Sequence, residues 1–258
     1  MPSNDIGDFI KTIPQLTRYW FLTTIVCSLL GRFGLIDLVS VYLDFDRTFF
    51  NLQLWRLFTS VFFYPITPQT GFHFLVNLYF LYTYSSRLEN EMFAGKKHDY
   101  LFMLIINWTI TLLACLYVGV PFIMEALILS VMYIWCQSNK DVTVQFWFGT
   151  SVKAMYLPWV LAGFNFVIRG SAYNELIGIL VGHFYHFFMF QYPLEYGGSQ
   201  IFNTPQFLKN ILPLEDTRMS GFSASGVTPF GERPQQARGG ASSYFSNTFP
   251  GRGHRLGD

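Results

Sequence analysis

Six apolar runs, at 19–38, 71–86, 100–118, 121–137, 155–168 and 172–192, follow one another with short breaks. A helix that crosses hydrocarbon needs roughly 20 mostly apolar residues, and fewer where the bilayer is thin or neighbouring protein walls the helix. Hydrophobic residues make up 51% of the chain and charged residues only 13%, so the runs are too many and too apolar for one soluble core. Inside lipid every backbone N–H and C=O must find a partner within the protein, and consecutive apolar runs of this length do so as helices. The expected fold class is therefore an all-α membrane protein, a bundle of six spans. It comprises a short segment at 1–18, the membrane domain at 19–192 and a tail at 193–258.

Lys and Arg set the orientation. With both ends cytosolic, the cytosolic segments hold Lys11, Arg18, Arg87, Lys96, Lys97, Lys140, Lys153, Lys209 and five further arginines of the tail. The opposite side holds Arg32, Arg47, Arg56 and Arg169. The bias survives removal of the tail, so both termini are expected in the cytosol. Asp5 and Asp8 near the start do not suit a signal peptide.

Several features carry little. Cys27, Cys115 and Cys136 lie inside apolar runs without metal-ligand spacing, and no metal or cofactor is expected. The sequon at Asn107 sits within a run and reads as a packing amide. No internal repeat of the secondary-transporter kind is visible. The connections carrying Arg87, Glu89, Glu91, Lys96 and Lys97, and later Lys140, Asp141 and Val144 to Phe148, read as cytosolic surface gripping headgroups.

The connection at 39–64 is too apolar for a free loop and too interrupted for a span, and is expected in the outer interface. Trp55 and Arg56 suit that place, since indole sits at headgroup depth and guanidinium can satisfy phosphates or stray carbonyls.

Polar groups inside the runs are the functional candidates, because in hydrocarbon each must be paired or wetted. His73 and Asn77 lie one turn apart. Glu175, Gly178, Gly182 and His186 share one stripe of a helix, at about 100° per residue, with His183 turned roughly 80° away. Small residues at this spacing let two helices approach closely.

Trp55-Arg56, His73-x-x-x-Asn77, Glu89 and Gly178-x-x-x-Gly182, in this order, resemble the rhomboid superfamily of six-span intramembrane proteases. In those enzymes a serine within Gly-x-Ser-Gly is activated by a histidine just before the sixth-span glycine pair. The matching positions here are Leu129, in Leu127-Ile128-Leu129-Ser130, and Glu175. A hydroxyl nucleophile needs a base within hydrogen-bond reach, and neither position supplies its half. Ser130 and His183 offer a second candidate pair at comparable depth. His73 and Asn77 correspond to groups that hold the oxyanion in active relatives. Without a nucleophile they are left to tie helices together or to keep a wet cavity for an unfolded backbone.

Within that superfamily the chain resembles the derlins, proteolytically inactive members of the endoplasmic reticulum membrane, and among them most of all the first animal paralogue. The markers are Asp5-Ile6-Gly7-Asp8, Ile13-Pro14-x-x-Thr17-Arg18-Tyr19-Trp20, Asn77-Leu78-Tyr79-Phe80-Leu81-Tyr82, Phe146-Trp147-Phe148-Gly149-Thr150, Asn174-Glu175-Leu176-Ile177-Gly178 and Thr204-Pro205-Gln206-Phe207-Leu208. From Thr217 onward Gly, Ser, Pro, Arg and Phe dominate, a composition that cannot bury enough apolar surface to order itself. It ends in Phe249-Pro250-Gly251-Arg252-Gly253-His254-Arg255-Leu256-Gly257. This resembles the derlin box that binds the cytosolic AAA ATPase valosin-containing protein, with Phe249 and Leu256 as anchors and Gly251, Gly253, Arg255 and Gly257 completing it.

The resemblance implies a rhomboid pseudoprotease that helps misfolded clients leave the endoplasmic reticulum lumen for ubiquitin-dependent degradation. Its partners would be the ATPase, a ubiquitin ligase of the Hrd type, the clients, the lipid bilayer and further copies or paralogues in an oligomer, without nucleic acid. Two rival readings are an active serine protease and a small-solute channel.

Overall fold

The computed structural model describes residues 5–145, 151–197 and 203–212. These fall in the compact unit Met1–Thr217, and the second unit, Arg218–Asp258, lies outside them, together with the Phe249–Gly257 box. Helix dominates. In chain order the elements are α1 (Asp5–Thr12), α2 (Gln15–Arg32), α3 (Leu38–Val41), α4 (Phe45–Phe49), α5 (Trp55–Phe62), α6 (Gly71–Phe80) and α7 (Lys97–Val118). After these come α8 (Met124–Ser138), β1 (Thr143–Gln145), β2 (Ser151–Lys153), α9 (Leu157–Arg169), α10 (Tyr173–His186), α11 (Tyr192–Tyr196) and α12 (Gln206–Ile211).

The helix limits depart from the apolar runs for local reasons. Pro14 opens α2 ahead of the run at 19–38, and Gly34, with φ of 74°, ends the turn that follows Arg32. α6 continues past Ser86 through two π-helical turns, Leu81–Ser85 and Leu88–Met92. Arg87 does not stop it, since its guanidinium lies 4.8 Å from the centroid of the Trp135 ring. α10 likewise extends through a π turn at Phe187–Gln191 into α11, where Gly197 takes φ of 64°. In the 39–64 connection the interrupted apolar pattern becomes the three short helices α3 to α5.

Thr143, Val144 and Gln145 form β1. It pairs antiparallel with β2, Val144 opposite Val152. Residues 146–150, between the two strands, lie outside the described residues.

At the centre stands α8. Every residue of it from Met124 to Cys136 is buried. α10 packs along it, and α6, α7 and α9 also contact it. The reason for the close α8–α10 approach is glycine. A Cβ on Gly178 would lie 2.5 Å from the Ala126 carbonyl oxygen and 2.8 Å from the Leu129 Cβ, and one on Gly182 would lie 2.7 Å from the Ser130 oxygen. Asn107 is buried and donates to the Met103 carbonyl at 3.0 Å, within its own helix.

Among the described residues α7 alone is both long and apolar enough to cross a membrane unaided, while α8 and the stretch Ala154–Arg169 are apolar but shorter. α8, with 15 residues, measures about 22 Å at ~1.5 Å per residue.

Candidate functional site

A cavity of about 500 Å³ opens between α6 and α9 and is floored by α8. Its α6 wall brings His73, Val76, Asn77 and Phe80, and its α9 wall brings Leu161, Asn165 and Arg169. The floor consists of Glu125, Ile128, Leu129 and Met132, and Glu175 enters from the first turn of α10. A second cavity of about 600 Å³ adjoins it, sharing Tyr64, Thr70, Glu125, Arg169 and Glu175 and adding Pro121, Phe122 and Asn174. The polar groups are confined to one end. Towards Met132 and Phe80 the walls are apolar.

Glu125 is the hub of that polar end. Although buried, it accepts from Arg169 Nη1 with both oxygens, at 2.9 and 3.1 Å, and from Asn174 Nδ2. His73 Nδ1 stands 3.1 Å from Glu125 Oε1. The same nitrogen is 3.0 Å from the Tyr64 hydroxyl and 3.1 Å from Asn77 Nδ2. A carboxylate needs Nδ1 to carry a proton and an amide donor needs it bare, so these contacts belong to alternative tautomers or amide orientations of one network.

Glu175, 5% exposed, is held differently. It accepts from Asn165 Nδ2 at 2.6 Å.

Leu129, on the floor, and Glu175, on the wall, both line the cavity. The second candidate pair does not form. The Ser130 hydroxyl donates to the Leu127 carbonyl at 2.8 Å, in its own helix, and the His183 Nδ1 is 2.9 Å from the Tyr133 hydroxyl. Each group is occupied elsewhere.

Other sequence candidates stand away from the cavity. Arg56 is 3% exposed; its Nη1 donates to the Val39 and Tyr42 carbonyls at 2.7 and 2.8 Å and its Nε to Gln53 Oε1 at 2.7 Å. It therefore ties α3 and the turn after it to α5. Trp55 is half exposed, with Nε1 3.2 Å from the Ser40 carbonyl. His186 is buried with its ring 5.4 Å from that of Phe190 and does not line the cavity. Glu89 sits at the opposite end of the bundle, accepting from the Leu16 N–H at 3.0 Å and the Thr17 N–H at 2.8 Å. These are first-turn amides of α2, whose N-cap is Pro14 and brings no side-chain acceptor.

Sequence reasoning missed Glu125, Asn165, Arg169 and Asn174. A signal existed for Glu125: it is an ionisable residue inside an apolar run, one turn before Leu129, and such a group demands a partner. Arg169 entered the sequence argument only as a charge on the outer side.

The Der1-like family model matches residues 13–206. The chain belongs to the Der1-like family. It is 47% identical over 258 residues to Derlin-1 of Mus musculus and to Derlin-1 of Homo sapiens, covering 99% of this chain and 99% of each relative. It is also 49% identical over 217 residues to Derlin-1 of Caenorhabditis elegans, covering 84% of this chain and 88% of that one. The Der1-like match takes in α2 to β2, α9, α10 and the Thr204-Pro205 stretch, and so the whole lining of both cavities.

Proposed function

We propose that this Der1-like chain is a six-span rhomboid pseudoprotease of the endoplasmic reticulum membrane, with both termini in the cytosol. It assists the passage of misfolded proteins from the lumen or the membrane to the cytosol for degradation. The observation that carries the reading is the cavity itself. It has a polar end and an opening between two helices, and it is lined by Leu129 and Glu175, which the rhomboid resemblance sets at the serine and histidine positions. Such a cleft binds and cannot cut.

The exposed apolar groups around α3 to α5, including Phe45, Phe50, Leu52, Trp55 and Phe58, support a first connection half sunk in the outer leaflet. Short helices beside it favour a locally thin bilayer, so that a polar chain crosses less hydrocarbon. The 249–257 box would recruit valosin-containing protein, which supplies the pull, and a Hrd-type ligase would mark the client.

In cells deleted for this protein, pulse-chase of a misfolded single-span reporter tests the reading. The full chain restores turnover, and a chain truncated after 248 does not. In proteoliposomes the purified protein leaves the reporter uncut. Equal turnover with the truncated chain, joined to conduction of small solutes by the purified protein, would sink the proposal in favour of a channel. Cleavage abolished by Ser130→Ala would sink it in favour of a protease.

A further inference from the structure

The two carboxylates of the cavity differ in one respect. Glu125 is neutralised by Arg169 and further held by Asn174. Glu175 is as deeply buried, lines both cavities, and takes a hydrogen bond from a neutral donor, the Asn165 amide. Among the described residues no Lys, Arg or His forms an ion pair with it. Arg169 stands in the same wall, but its Nη1 is given to both oxygens of Glu125. Among the described residues the cavity's polar end thus holds two carboxyls, the Arg169 guanidinium and the His73 imidazole, and both of these nitrogen groups lie against Glu125 while the Glu175 carboxyl receives the Asn165 amide. A buried carboxylate with only neutral donors attracts a cation far more strongly than the same group in water does.

We infer that Glu175 is a selectivity group that binds a basic side chain of the client, so that the cavity favours transmembrane segments carrying a Lys or Arg near their lumenal end. This rests on the proposed function and names the client chemistry of the same site. The shape of the cavity suits such an occupant. Apolar walls at Val76, Phe80, Leu161 and Met132 accept the stem and neighbouring side chains of an apolar helix, and the charged tip reaches Glu175 at the polar end. A zwitterionic lipid headgroup fits less well, because its ammonium brings a phosphate beside two carboxylates. The preference also has a physical logic. A span with a base in hydrocarbon is itself unstable in the bilayer, and pairing with Glu175 relieves that penalty inside the cleft.

The test uses the full chain reconstituted in phosphatidylcholine vesicles with two single-span polyleucine helices. One carries a Lys near its lumenal end and the other a Leu at that place, and both carry a photocrosslinker one turn away. The wild-type protein is expected to capture the Lys helix about tenfold better, equivalent to roughly 1.4 kcal/mol. Glu175→Gln, which keeps the hydrogen bond from Asn165, abolishes the preference, and Glu175→Asp keeps part of it. Equal capture of both helices by the wild type, or an undiminished preference in Glu175→Gln, overturns the inference. Turnover in cells of a misfolded reporter with a neutral span separates the two levels. If the protein speeds that turnover and shows no charge preference, the selectivity falls while the degradation role stands; if it speeds no turnover, both fall.

Discussion

Glu89 holds Thr17 twice with one oxygen: Oε2 accepts from the Thr17 N–H and from the Thr17 hydroxyl, each at 2.8 Å. The second oxygen takes the Leu16 N–H. A carboxylate from the end of the second long helix thus serves as the N-terminal cap of the first, and its negative charge complements the dipole there. The Thr17 hydroxyl continues to Ser85 at 2.7 Å, and Ser85 to Tyr100 at 2.5 Å, so three helices close on one chain of hydrogen bonds. Glu89→Ala leaves these buried donors unsatisfied and is expected to destabilise the bundle by about 2–4 kcal/mol, read as a lower Tm in detergent. Glu89→Gln keeps one acceptor oxygen and should lose less. A Tm unchanged by either substitution would refute the capping role.

Gly178 and Gly182 face backbone. With a Cβ on Gly178 only 2.5 Å from the Ala126 oxygen, neither helix has a flexible side chain that can give way. Gly178→Leu is expected to separate α10 from α8 at a loss of about 3 kcal/mol or more, above the range of a moderate overpacking. Gly163, which has open space beside it, is the control. Gly163→Ala should leave trypsin resistance unchanged while Gly178→Leu abolishes it.

Arg56 makes three hydrogen bonds in fixed directions and lies 5.3 Å from the centroid of the Tyr42 ring. An ammonium cannot reproduce that fork. Arg56→Lys is expected to weaken the α3 to α5 connection by about 1–3 kcal/mol, seen as faster proteolysis between Arg32 and Trp55. Cleavage at the wild-type rate would show that the carbonyls are held by other means.

Glu125 and Arg169 form a pair buried on one side and half exposed on the other. Arg169→Ala strands a carboxylate and is expected to destabilise by up to about 3 kcal/mol. Combining it with Glu125→Gln removes the stranded charge, so the double variant should melt above the Arg169→Ala single variant. Additive losses in this cycle would mean that the two side chains act independently.

Much of this architecture follows from period alone. Residues four apart share a helix face, so the spacing of Gly178 and Gly182 announces one close neighbour, and that of His73 and Asn77 announces one polar edge. Which neighbour receives them is a tertiary matter. The Glu125–Arg169 pair joins residues from two different apolar runs, and nothing in either run marks the other as its partner. The π turns at Leu81–Ser85 and Leu88–Met92 arise from a local change in hydrogen-bond register, which apolarity does not encode. The β1–β2 hairpin escaped for a related reason: three residues of alternating polarity fit a helix end as well as a strand.

The burial of α8 from Met124 to Cys136 has a consequence for how the chain is made. Its 15 residues, with Glu125 in the first turn, are a poor substrate for independent entry into a bilayer. α7, immediately before it, is self-sufficient. Biosynthesis by companionship is the expected consequence: α8 would gain its main neighbour only when α10 is made, and Glu125 its guanidinium partner only when Arg169 has been translated.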